Sequence, residues 1–90
     1  MLMVHLTLTQ TPRAAGTESE AALLQDSIWA NAGPQHALEH ARVRPARYGI
    51  DVVLFLRADG EPDACAKADS LLTQVLRAPA LGGYRLALAP

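Results

Sequence analysis

The run His36-Ala37-Leu38-Glu39-His40 is the pattern in this sequence closest to a metal-binding spacing. On a helix, two histidines four residues apart share one face, where they can hold a metal while the glutamate between them activates a bound water. On a strand they again share a face, but stand about 13 Å apart, too far for one ion. Catalytic zinc chemistry also needs a third ligand and an enclosing body. The arginine-rich stretch that follows, Arg42-Val43-Arg44-Pro45-Ala46-Arg47, supplies neither. The histidines are read as polar edge residues, and no metal or cofactor is expected.

The other reactive side chains are scattered. Cys65 is the single cysteine; it can form no intrachain disulfide, and its position among apolar residues of a helix reads as core rather than nucleophile. Arg42, Arg44 and Arg47 form a local basic cluster suited to an anion or an acidic partner, or to a solvated strand edge that discourages aggregation. His5 and Asp51 can oppose each other across two neighbouring strands as an acid–base pair. Glu18, Glu20, Glu61 and Asp63 are explained as first-turn helix acids and Asp59 as a turn residue. No phosphate-binding glycine loop or nucleophile elbow is present, and Leu81-Gly82-Gly83 reads as a loop.

The elements that position these groups follow from periodicity. Leu2, Val4, Leu6 and Leu8 alternate with polar residues, a half-buried strand. Residues 10–16 read as a loop that ends in Thr17-Glu18-Ser19-Glu20, a capping box opening a helix at 18–32 with Ala21, Leu24, Ile28 and Ala32 inward. Gly33-Pro34 is expected to supply a left-handed cap and a stop. Residues 35–47 combine helix-forming and extended signals; a polar edge strand is preferred over a short helix. Tyr48 to Leu56 is a nearly continuous apolar run, as in a central strand. Pro62 and the neighbouring acids start a second helix at 61–77, with Cys65, Ala68, Leu72, Val75 and Leu76 on one face. Tyr84 to Leu88 alternates as a last strand.

The resulting order is β-α-β-β-α-β, which predicts an α+β, ferredoxin-like sandwich: a four-stranded antiparallel sheet with two helices on one face. Ninety residues fit one such domain, 1–90. At 50% hydrophobic and 19% charged residues the chain is too apolar to be disordered. A net charge of -1 provides no general attraction to nucleic acid or anionic lipid. Arg47-Tyr48-Gly49-Ile50-Asp51-Val52-Val53 resembles the central-strand signature of the RNA-recognition motif at Tyr48 and Gly49. Ile50 replaces an aromatic there and Asp51 repels phosphate, so RNA is not the expected partner. The N-terminus lacks the charge and apolar run of a signal segment, and no apolar run is long enough to span a bilayer. One cysteine, 17 alanines and seven arginines against one lysine point to a cytoplasmic protein from a GC-rich bacterial genome.

If Ile50, Val52, Leu54 and Leu56 face the helices, Asp51, Val53, Phe55 and Arg57 point outward beside His5 and Thr7. That face then carries Val53 and Phe55 uncovered, an interface signal. The expectation is a non-enzymatic module that self-associates or docks on a partner through Val53, Phe55, His5 and Trp29, with Arg42, Arg44 and Arg47 as anion or acidic-partner contacts. The topology also resembles small dimeric α+β barrels, whose open face lines a substrate cavity. That resemblance implies an enzyme or small-ligand-binding regulator using His5 and Asp51 as the alternative.

Overall fold

A computed structural model describes residues 1–10 and 14–87. The strands are β1 (Leu2–Gln10), β2 (Leu38–Ala46), β3 (Gly49–Leu56) and β4 (Tyr84–Leu86); the helices are α1 (Glu18–Asn31) and α2 (Glu61–Val75). Short 3-10 turns cover Pro34–His36 and Pro79–Leu81. The sheet order is β2-β3-β1-β4, with every neighbouring pair antiparallel. This is the ferredoxin-like α+β arrangement, with the two halves of the chain interleaved so that β1 and β3 are central. Leu88, the expected end of the last strand, and part of the 10–16 loop lie outside the described residues.

The two central strands bury one face by strict alternation. Leu8, Ile50, Val52, Leu54 and Leu56 are fully enclosed against Leu24 and Ile28 of α1 and Leu71, Leu72 and Val75 of α2. α1 opens as the spacing predicts: the Glu20 amide donates to Thr17 Oγ1 and the Thr17 amide to Glu20 Oε1, both at 3.1 Å. In α2 the buried stripe is Ala64, Ala68, Leu71, Leu72 and Val75. Cys65 is exposed, which corrects its reading as a core residue. Ala68, Leu72 and Val75 are buried and Leu76 packs against the core, as expected; of the expected face only Cys65 is turned out, and Ala64 and Leu71 complete the stripe.

The connections differ from expectation in two places. Gly33 is extended (φ -111°) rather than left-handed, and α1 stops because Pro34 forces extended backbone before it. The left-handed residue is Ala37 (φ 50°), at the end of the Pro34–His36 turn. His36 is therefore not an edge-strand residue. It is buried in that turn, where its Nδ1 accepts from the Gly33 amide at 3.0 Å. The strand begins only at Leu38, and it begins with a bulge. Leu38 pairs with Leu56 and His40 with Phe55, leaving Glu39 as the extra residue. The bulge resets the alternation, so Leu38, Ala41 and Val43 pack on the core while His40, Arg42 and Arg44 turn to the other face.

At the start of α2, Asp63 accepts from the Asp59 amide and from Lys67 Nζ, each at 3.1 Å. The Asp59 amide first, and then Lys67, hold the Asp63 carboxyl below its ordinary value. Lys67 also donates to the Arg57 carbonyl at 3.1 Å, tying the end of β3 to the helix.

Tyr84 of β4 faces the core, and its Oη is enclosed without a sound hydrogen bond among the described residues. Burial, with the neighbouring Glu20 carboxylate adding to it, pushes the Tyr84 hydroxyl up to about 12. The unfolded tyrosine ionises near pH 10, so above that pH the unfolded chain loses a proton that the folded chain keeps. The associated stability is complete below pH 10 and declines towards pH 12, by about 2–3 kcal/mol. Tyr84→Phe is expected to preserve or raise stability at neutral pH, because it removes an unsatisfied hydroxyl. It should also flatten the alkaline decline. Urea unfolding of both proteins from pH 7 to 12 reads this directly, and parallel declines would reject the assignment.

Candidate functional site

With the helices on one side of the sheet, the other side has no covering element among the described residues. Its side chains are ordered by the strand register. In one row Arg42 of β2, Val53 of β3 and His5 of β1 lie side by side; in the next come Arg44, Asp51 and Thr7. A third row on the opposite flank of Val53 holds His40, Phe55 and Met3. The face is thus polar at one end and apolar at the other, with Val53 at the junction.

At the apolar end, Met3 is 66% exposed and Phe55 half-buried. The rings of His40 and Phe55 are 5.4 Å apart and tilted by 42°, so the imidazole covers one edge of the phenyl. At the polar end, Asp51 Oδ1 lies 3.8 Å from His5 Nε2 and 3.5 Å from Thr7 Oγ1. Both separations exceed those of a strong hydrogen bond. The His5 and Asp51 side chains are 61% and 46% exposed, and an ion pair in that much water contributes little stability.

Val53 is short and stands between longer neighbours. The resulting open depression of about 220 Å³ is lined by His5, Arg42, Arg44, Asp51 and Val53. Neither Arg42 nor Arg44 has a carboxylate within ion-pair distance among the described residues. The ion pairs found are His5–Asp51, Arg57–Glu39 at 3.5 Å and Lys67–Asp63. A second depression of about 230 Å³ lies where β1 meets the start of α2, lined by residues that include His5, Glu61 and Cys65.

The residues expected to act together are therefore only partly assembled. His5, Val53 and Phe55 share the open face, and Arg42 and Arg44 join them. Arg47 lies in the turn between β2 and β3 and does not line the depression. Trp29 is exposed on α1, in the helical layer on the other side of the sheet. His36 and His40 are separated, one enclosed in the 3-10 turn and the other on the open face. Among the described residues no group of three or more His, Cys, Asp or Glu side chains could hold a metal ion. Met3 and Thr7 were visible by parity with His5. His40 was not, because the bulge at Glu39 determines which way it points.

No protein family, curated protein or solved structure matches this chain. No helix among the described residues is long and apolar enough to cross a membrane.

Proposed function

We propose that the uncovered sheet face is an assembly surface on which a second copy of this chain docks, and that the protein is a non-enzymatic interaction module. The observation carrying this reading is the row His40, Phe55 and Met3 beside Val53, an apolar strip on a face that lacks a covering layer. The domain measures 36 × 28 × 19 Å. Its broad side offers on the order of 1,000 Å², enough for the ~800 Å² per partner of a stable interface. The same face carries both charge signs, Asp51 against Arg42 and Arg44. Self-complementarity of this kind is what a two-fold interface needs, because each copy presents the same patch to the other. An exposed, unpaired Cys65 is most compatible with a reducing compartment, and the excess of alanine and of arginine over lysine with a GC-rich genome, so we place the module in a bacterial cytoplasm.

The reading is tested by light scattering coupled to gel filtration over a wide concentration range. The expected mass is that of two chains, falling towards one on dilution. A mass of one chain throughout would reject self-association.

A further inference from the structure

We propose that the depression between Arg42 and His5 is a seat for a small carboxylic acid with an apolar body. This goes beyond the assembly reading, since a single chain supplies the whole seat. Three observations carry it.

The first is unbalanced charge. Arg42 and Arg44 sit two residues apart on the same side of β2, roughly 7 Å from one another, and neither meets a carboxylate within 4.0 Å among the described residues. That spacing is the backbone's, and an anion held between the two side chains is attracted by both guanidinium groups. Asp51, the register partner of Arg44, also borders the depression but forms no ion pair with either arginine; its Oδ1 lies nearest Thr7 and His5.

The second is the placement of these arginines. Arg42 and Arg44 are solvent-exposed on the edge strand β2, and both border a concavity whose floor is Val53. Guanidinium groups are planar forks that match the two oxygens of a carboxylate, and such charge-assisted pairs are stronger than neutral hydrogen bonds.

The third is size and adjacency. A volume of about 220 Å³ is below the ~300–1,000 Å³ of sites for drug-sized ligands. That admits a single ring or a short aliphatic chain. The apolar part would lie on Val53 and extend towards Phe55, while His5 borders the seat opposite Arg42.

Benzoate, benzamide and inorganic phosphate are suitable probes, titrated into isotopically labelled protein and followed by amide chemical shifts. Benzoate is expected to shift the amides of His5, Arg42, Arg44 and Val53 in a saturable manner. Benzamide, with the same ring and no charge, and phosphate, with charge and no ring, should each bind more weakly. Changing Arg42→Ala and Arg44→Ala together should weaken benzoate about tenfold or more, whereas Arg47→Ala, outside the seat, should leave it unchanged. Equal shifts with benzamide, no saturable shifts with benzoate, or unaltered binding in the double variant would overturn the seat. Mass measured on the same samples separates the two readings. A single-chain mass with these shifts intact removes only the assembly. Because a second copy on this face would cover the depression, benzoate is also titrated into Phe55→Glu protein at single-chain mass, where the absence of saturable shifts removes only the seat.

Discussion

Gly49→Ala is expected to destabilise the fold by about 3 kcal/mol or more, with a fall in Tm of roughly 12–24 °C. Gly49 begins β3 at φ 156° and is buried between the partners Thr9 of β1 and Ala46 of β2. A Cβ at this position would collide with the Leu8 carbonyl oxygen and crowd the Thr9 Cα. Both are backbone atoms of a central strand, so no side-chain rotation relieves the contact. From the other side, Gly16 approaches so closely that its own Cβ would strike the Gly49 carbonyl. The Gly16 amide also donates to Ala46 at 3.0 Å, fixing the entry to α1 over this corner. Against a total stability of about 5–10 kcal/mol for a domain of this length, such a loss leaves a marginal protein. Thermal unfolding by circular dichroism measures it. A Gly49→Ala protein within about 1 kcal/mol of the parent would show that the corner can open and that the close approach of β1 and β3 there is not required.

The same corner shows what could be read from residues alone. Alternation along Leu2–Leu8 and the apolar run from Ile50 to Leu56 establish two central strands and their facing sides, because a period of two leaves no freedom once one face is buried. Val53 and Phe55 were legible as outward-facing only on the condition that Ile50, Val52, Leu54 and Leu56 face the helices, because in this apolar run Asp51 alone marks the polar side. The steric need for glycine at 49 was not, since it depends on how closely β1 passes, a distance unrelated to local pattern. The bulge at Glu39 is a similar case. It costs β2 its simple alternation and determines whether His40 faces Phe55 or the core, yet no residue type around it announces an extra position. In α2 only Cys65 was misplaced, because the buried Ala64 beside it carries less hydrophobic signal. Ala64 is buried where Cys65 looks more apolar on paper, while Ala68, Leu72, Val75 and Leu76 lie on the expected side. Trp29 and Arg47 were grouped with the site by chemistry; only the layering of helices over sheet, and the position of the β2–β3 turn, sets them apart.

Phe55→Glu is expected to leave the monomer folded and to weaken self-association by about 100-fold or more. In the single chain, Phe55 occupies a solvent-facing position on β3, bordered by His40 on one side and Met3 on the other. Replacing it there sacrifices cross-strand packing worth at most about 1 kcal/mol, and a glutamate on that face remains hydrated. In a face-to-face pair the same carboxylate is enclosed in the apolar strip. The two-fold relation enters the change twice, once from each copy, and each unpaired buried charge costs several kcal/mol. Asp51 cannot offset it, being of the same sign, and Arg42 and Arg44 lie one and two rows away from Phe55 along the strands. The asymmetry between these two costs makes the variant diagnostic. Far-ultraviolet circular dichroism should stay near that of the parent while the scattering mass drops to one chain, and Tm should match that of the parent measured at a dilution where it too is a single chain, because association itself raises Tm. Phe55→Leu, which keeps an apolar side chain, should retain most of the association. A Phe55→Glu protein that is folded and still assembles as tightly as the parent would move the contact off the sheet face, and the exposed Leu23 and Trp29 of α1 would become the surface to test.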